Sequence, residues 1–248
     1  MSGQAGQSTR WLPRGWSHLA AQFALWMGFY ALYQVARGLA DRGVGEAFAN
    51  GGLVIDAQKQ LGLLFEPALQ RVVESSRVLI EVTSLTYWLS QFAVVGIALL
   101  WVYFRHHEHF SGLRNWLIAA NLVGLIGYVV MPTAPPRMFP EWGFSDTLAQ
   151  FSAISHQSLG FLANPFAAMP SLHSMDAFIV SAVMSGLVRH RIARFLWLAW
   201  APWVWFSVVG TGNHFWLDCA AGVAIALVCD AVLMRERRRA GGFDPVRA

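Results

Sequence analysis

Three short stretches carry side chains suited to phosphoryl transfer: Arg137 behind Pro135-Pro136, the run Pro170-Ser171-Leu172-His173, and His214-Phe215-Trp216-Leu217-Asp218. His214 and Asp218 are four positions apart, so a helix beginning there puts both on one face. The carboxylate would hold one imidazole nitrogen, fix the tautomer and leave the other nitrogen free to attack phosphorus. His173, one turn into a helix of its own, would give a proton to the departing oxygen. Free N–H groups at that helix mouth, around Ser171 and Leu172, and the Ser171 hydroxyl would receive an anion. The Arg137 guanidinium grips two phosphate oxygens at once. Each piece alone has a plainer reading: Ser171 as an ordinary N-cap, His173 as an interfacial histidine, Arg137 as a charged loop residue. His-x-x-x-Asp also suits a metal. No further Cys, His or acidic cluster falls on the same side to complete a metal site, so no metal or other cofactor is expected.

The elements that must position these groups follow from composition. Hydrophobic residues make up 56% of the chain, charged residues only 13%, and the mean hydropathy is +0.43. Soluble domains carry roughly twice that share of charge, so the reading is an all-α membrane protein. Apolar runs long enough for a hydrocarbon core of about 30 Å fall near 19–36, 85–104, 115–131, 172–188, 195–211 and 215–234. They predict a six-transmembrane-helix bundle, because backbone in lipid must satisfy its own hydrogen bonds. One domain over 1–248 is expected, with a core of about 19–234 and flexible tails at 1–15 and 236–248. Between the first two spans, 53–80 mixes Leu61, Leu63, Leu64, Phe65, Leu69, Val72 and Val73 with polar residues. It reads as two short amphipathic helices broken near Glu66-Pro67, lying in the interface or serving as packing. The Pro- and Gly-rich loop 132–171 has the length of a functional lid.

Charge sets the orientation. Lys59 is the only lysine among the eighteen basic residues. Arginines gather in the N-terminal tail (Arg10, Arg14), a 105–114 loop, a 189–194 loop and the C-terminal tail, whereas 132–171 offers only Arg137. The positive-inside rule then puts both termini in the cytoplasm and the reactive helix mouths outside, in a multi-pass protein of the plasma (inner) membrane. The pI of about 9.5 reports this topology, and no nucleic-acid partner is expected. His106, His107 and His109 are expected in a solvated cytoplasmic loop. Cys219 and Cys229 are ten residues apart on one helix, about 15 Å, which is too far for a disulfide.

The order Ala134-Pro135-Pro136-Arg137, then Met169-Pro170-Ser171-Leu172-His173, then Thr211-Gly212-Asn213-His214 with Asp218 resembles the type 2 phosphatidic acid phosphatase superfamily. The details look most like the branch of inositol phosphorylceramide synthases and their bacterial relatives, and the likeness spans roughly 45–230. The resemblance implies a six-helix fold without a metal. It makes His214 the nucleophile that becomes a phosphohistidine, Asp218 its orienting acid, His173 the general acid, and Arg137 and Ser171 the phosphate holders. The chain departs from the broad pattern at Val130, where a lysine is usual, at Leu172, where a glycine is usual, and at Ser207-Val208 in place of Ser-Arg. One guanidinium is left of three cationic clamps. A monoester carries nearly two negative charges and a diester one, so the site suits a diester donor better.

These residues read as a lipid phosphotransferase that takes a lipid phosphate or phospholipid donor and an alcohol or water acceptor. Simple dephosphorylation of a lipid phosphomonoester or pyrophosphate is the alternative. A small transporter using Asp176 and Asp218, or a non-catalytic lipid-binding relative, stays open as well. Asp176, Asn213 and Asn164 are possible substrate contacts; the oligomeric state is left open.

Overall fold

The computed structural model describes residues 13–40, 43–151 and 165–239. Within them the chain forms α1 (Gly15–Ala40), α2 (Val44–Gln60), α3 (Glu66–Glu74), α4 (Arg77–Leu89), α5 (Val95–Arg105), α6 (His107–Val130), α7 (Thr147–Phe151), α8 (Leu172–Leu187), α9 (Arg191–Gly210) and α10 (Trp216–Arg239). A π-turn over Ser90–Val94 joins α4 to α5 in one long rod. The expected N-terminal tail lies almost wholly outside the described residues; at the other end α10 stays helical to Arg239, past the expected start of the tail.

Among the described residues four helical stretches are long and apolar enough to cross a membrane: Arg77–Arg105, His107–Val130, Arg191–Gly210 and Trp216–Glu236. The fourth expected span, α8, is apolar but only 16 residues. At 1.5 Å per residue it reaches about 24 Å, short of a full core. The expected 105–114 loop is absent: α5 ends at Arg105, α6 begins at His107, and Arg114 is helical.

The central core joins α5, α6, α8 and α10 through Leu99, Val102, Leu117, Met175, Ile179 and Ala226, all nearly inaccessible. Outward faces stay apolar, as with Ile97, Ile126 and Val228, which suits a lipid surround. Polar contacts cross between helices where a backbone group lacks its own partner. In α9, which contains Pro202, the Ala201 N–H donates to Ser181 Oγ of α8 at 3.1 Å.

The segment between α1 and α4 is helical as expected, but its polarity runs inside out. Glu66, Gln70 and Val73 form the buried stripe of α3, while Leu61, Leu63, Phe65 and Val72 are exposed. Its break falls at 61–65, and Glu66-Pro67 opens α3. The inward polar groups reach the loop beyond α6: Gln70 Nε2 donates to Thr147 Oγ1 at 2.7 Å, and Thr147 Oγ1 to Glu74 Oε1 at 2.9 Å.

Candidate active site

Three connections meet at one end of the bundle: 131–138 after α6, 165–171 before α8, and 211–215 between α9 and α10. Backbone hydrogen bonds knit them. Thr133 N–H donates to Phe166 O at 2.8 Å and Ala168 N–H to Thr133 O at 3.1 Å. Arg137 N–H donates to Gly212 O at 2.9 Å, and Ser171 N–H to Asp218 O at 3.0 Å. Gly212 ends α9 with φ +70°, a left-handed conformation that glycine adopts without strain. A Cβ there would meet the Gln70 amide and the Ser145 carbonyl at 2.8 Å.

His214 sits in this last turn, two residues before α10, and is 4% exposed. Its Nδ1 lies 2.8 Å from the Ala168 carbonyl. A carbonyl only accepts, so Nδ1 carries the proton and Nε2 keeps its lone pair. The carbonyl thus performs the tautomer-fixing expected of Asp218. The Asp218 Oδ2 atom lies 3.4 Å from the same nitrogen and accepts the Phe215 N–H at 2.8 Å. That carboxylate is wholly buried, and its Oδ1 has no hydrogen-bond partner. Burial pushes the His214 pKa down to about 4; the Ala168 bond works the other way, and the nearby Arg137 charge lowers it further.

His173 occupies the first turn of α8, half-buried, with its ring centroid 5.6 Å from that of His214. The Tyr87 ring of α4 stacks on its other side at 4.5 Å. Ser171 is the N-cap of α8: its hydroxyl oxygen accepts from Ser174 N–H at 3.3 Å and Ser174 Oγ at 3.1 Å, and the residue is fully buried. The hydroxyl oxygen caps the helix as an acceptor, and its own proton is left to donate. The first-turn amides of Leu172 and His173 have no intrahelical acceptor, which leaves two N–H donors at this mouth. The Leu172 side chain is buried beside Gly124 of α6 and Met175.

Arg137 is half-buried, and burial lowers its pKa below the usual guanidinium value. Its Nη1 donates to Asn213 Oδ1 at 2.7 Å, while Asn213 Nδ2 donates to Thr211 Oγ1 at 2.9 Å. Asn213, expected as a substrate contact, instead holds the arginine. Asp176 is a turn below His173 and finds its partner in Asn121 of α6, whose Nδ2 donates to Oδ1 at 2.6 Å. Asn164 lies outside the described residues. Among the described residues no three His, Cys, Asp or Glu side chains gather in a metal-holding group.

Three contributors escaped the motif reading. Tyr87 looks like any aromatic of an apolar run, and Ala168 acts through its backbone. Glu66 is 1% exposed; its Oε1 accepts the Trp216 N–H at 3.2 Å, at the first residue of α10, and is bonded by Gln58. Burial raises its pKa. Its one sequence signal is an acid within an otherwise amphipathic stretch.

A membrane-type helical bundle gathers two imidazoles, an aspartate and one guanidinium at three helix ends, a set of groups suited to phosphoryl transfer. The comparison with known families agrees: the model of the PAP2 superfamily matches residues 53–232, and the chain belongs to that superfamily. A relative, the phosphoinositol dihydroceramide synthase of Bacteroides thetaiotaomicron, is 29% identical over 147 residues, 52% of this chain. The match spans 47% of that relative's length. Among solved structures, LpxE of Aquifex aeolicus superposes with a TM-score of 0.52 at 15% identity, covering 68% of this chain and 93% of its own. At that identity the likeness speaks for the fold.

Proposed function

We propose that this protein is a lipid phosphotransferase, one membrane-embedded domain of six spans with α1 and α8 included, that moves a phospho-head-group or phosphoryl group between lipid-linked substrates. The observation that carries the reading is the pairing of His173 and His214, 5.6 Å apart, with Arg137 close enough for its charge to act on the His214 ring. In the first half-reaction His214 Nε2 attacks phosphorus, an N–P bond forms, and the P–O bond to the leaving group breaks. His173, in its imidazolium form, gives the departing oxygen its proton and is left as neutral imidazole. In the second, an acceptor hydroxyl attacks the phosphohistidine, His173 takes its proton back, and the N–P bond breaks. Arg137 and the Leu172 and His173 amides face the phosphoryl oxygens, where charge builds in the transition state. Asp218 stabilises the positive charge that the His214 ring gains on phosphorylation.

Transfer is favoured over hydrolysis by the single cationic clamp, and by the relative whose name is a synthase. On the arginine distribution, both termini face the cytoplasm and the site opens on the outer face of the plasma membrane. The test supplies the purified protein in vesicles with a lipid phosphate monoester, or with a phosphoinositol diester donor plus a lipid alcohol. Head-group transfer from the diester, outrunning phosphate release from the monoester, is the expected result. Rapid monoester hydrolysis without transfer would establish the phosphatase instead.

A further inference from the structure

An apolar cleft lies toward the other end of the molecule. Of about 640 Å³, it runs between α1 and the α4–α5 rod, a volume within the range of small-molecule sites, about 300–1,000 Å³. Its walls are apolar: Trp16, Leu19 and Phe23 from α1, Leu99 and Tyr103 from α5, and Phe92 from the π-turn. π-turns interrupt helices at functional sites more often than elsewhere.

Arg114 of α6 stands at one end of this cleft, over the ring of Phe110, which lines it. It donates Nη1 to Gln22 Oε1 at 2.8 Å and Nη2 to Asn115 Oδ1 at 2.7 Å, so among the described residues its partners are neutral acceptors. His18 adds a ring nitrogen 3.1 Å from the Tyr103 hydroxyl, and its ring lies 5.8 Å from that of His107. Residues 1–40 contain no Asp or Glu. Glu108, the one acid of 105–114, lies 3.6 Å from His109 and 4.0 Å from His106.

We propose that this cleft binds one anionic phospholipid, its phosphate on Arg114 and an acyl chain lying along Trp16, Phe23 and Phe92. The commitment to a lipid rests on the two halves together: a guanidinium whose partners among the described residues are neutral, and an apolar cleft beside it. Arg114 and Val130, at the ends of most of α6, are about 24 Å apart, so this site is separate from the His173–His214 centre and does not depend on the reaction assigned to it. On the topology proposed above it faces the cytoplasmic leaflet, where anionic lipids concentrate.

The experiment is native mass spectrometry of the full chain released from vesicles of equal phosphatidylglycerol and phosphatidylcholine. The wild type is expected to retain one phosphatidylglycerol after phosphatidylcholine is stripped. Arg114→Gln should lose it by about tenfold or more. Gly96→Phe should lose it comparably with Arg114 intact, because Gly96 lines the cleft and a Cβ there meets nothing within 4 Å. Excess inorganic phosphate should fail to displace the lipid. Thermal melting of each variant confirms folding; a variant that does not fold is replaced by Ala20→Trp, which narrows the same cleft from α1. Equal retention of the two lipids, retention unchanged in the variants, or displacement by phosphate would overturn the proposal.

Discussion

The two ends of the bundle handle charge in opposite ways. At the reactive end Ser171, Asn213, His214 and Asp218 are all buried and held by backbone or side-chain partners within the protein. At the arginine-rich end Arg14 and Glu108 are exposed, His18, His107 and Arg114 are half-buried, and the contacts run mostly through aromatic and neutral groups. Burial at the first end costs free energy unless each polar group is met, and what that cost secures is a fixed imidazole with one free nitrogen. The second end leaves its charged groups half-buried or exposed. The proposed chemistry needs the fixed geometry of the first end, and the proposed lipid needs the accessible charge of the second.

The largest test of that contrast is His214→Ala. We expect turnover to fall by about 10⁴-fold or more, with the melting temperature in detergent nearly unchanged, because the fold is carried by the apolar core and by backbone bonds that alanine keeps. Arg137→Gln should cost roughly 10²–10³ in kcat, since the guanidinium meets charge that grows in the transition state. Asn213→Ala, which frees the Arg137 side chain and removes the bond to Thr211, should cost about tenfold. Comparable substitutions at the other end, such as Arg105→Gln, should leave turnover within twofold; a larger loss would erase the distinction between the ends.

Acidity sharpens it further. His214, with its pKa pushed down to about 4, is the free base at any higher pH and is protonated only below that value. The acid limb of kcat/KM is therefore expected near pH 4, well under the ordinary histidine range near 6.5. In Arg137→Gln the limb should move upward, because a neighbouring positive charge that disfavoured protonation is gone.

The smallest effect falls at Glu66. Glu66→Ala leaves the Trp216 N–H and the Gln58 amide without their acceptor and should cost about 1–3 kcal/mol of stability, whereas Glu66→Gln keeps an oxygen there and should cost less. Burial raises the Glu66 pKa in the fold above its ordinary 4.5, so the folded state holds that proton more tightly. Wild-type stability should then rise relative to Glu66→Gln as pH falls through the folded value, and this gain should be complete below the unfolded one. Melting curves of the two proteins across pH measure the difference.

Much of the arrangement was legible in the chain because apolar runs and reactive side chains are both local signals. The ends of α9 and α10 came within a few residues of the expected boundaries, and the three motifs converge as their order suggested. What the chain hid was non-local. The sequence left the amphipathic segment lying in the interface or serving as packing; in the fold Glu66, Gln70 and Glu74 turn inward and exchange hydrogen bonds with residues 145–150 and the Trp216 N–H. The Ala168 carbonyl could not be foreseen as the His214 partner, since a backbone acceptor leaves no trace in residue type. Nor could Asn121 be matched with Asp176 across 55 positions from one sequence. The short α5–α6 junction was mistaken for a loop because Arg, His and Glu read as solvated, although a helix end carries them equally well.

The central claim is that phosphorus passes through His214, and rapid quench with a donor radiolabelled in its phosphate tests it directly. The account predicts an acid-labile, base-stable label on the peptide containing His214. The label should be absent from His214→Ala and should accumulate in His173→Ala when an acceptor is supplied. Full turnover by His214→Ala, or a label that maps to another residue, would contradict it.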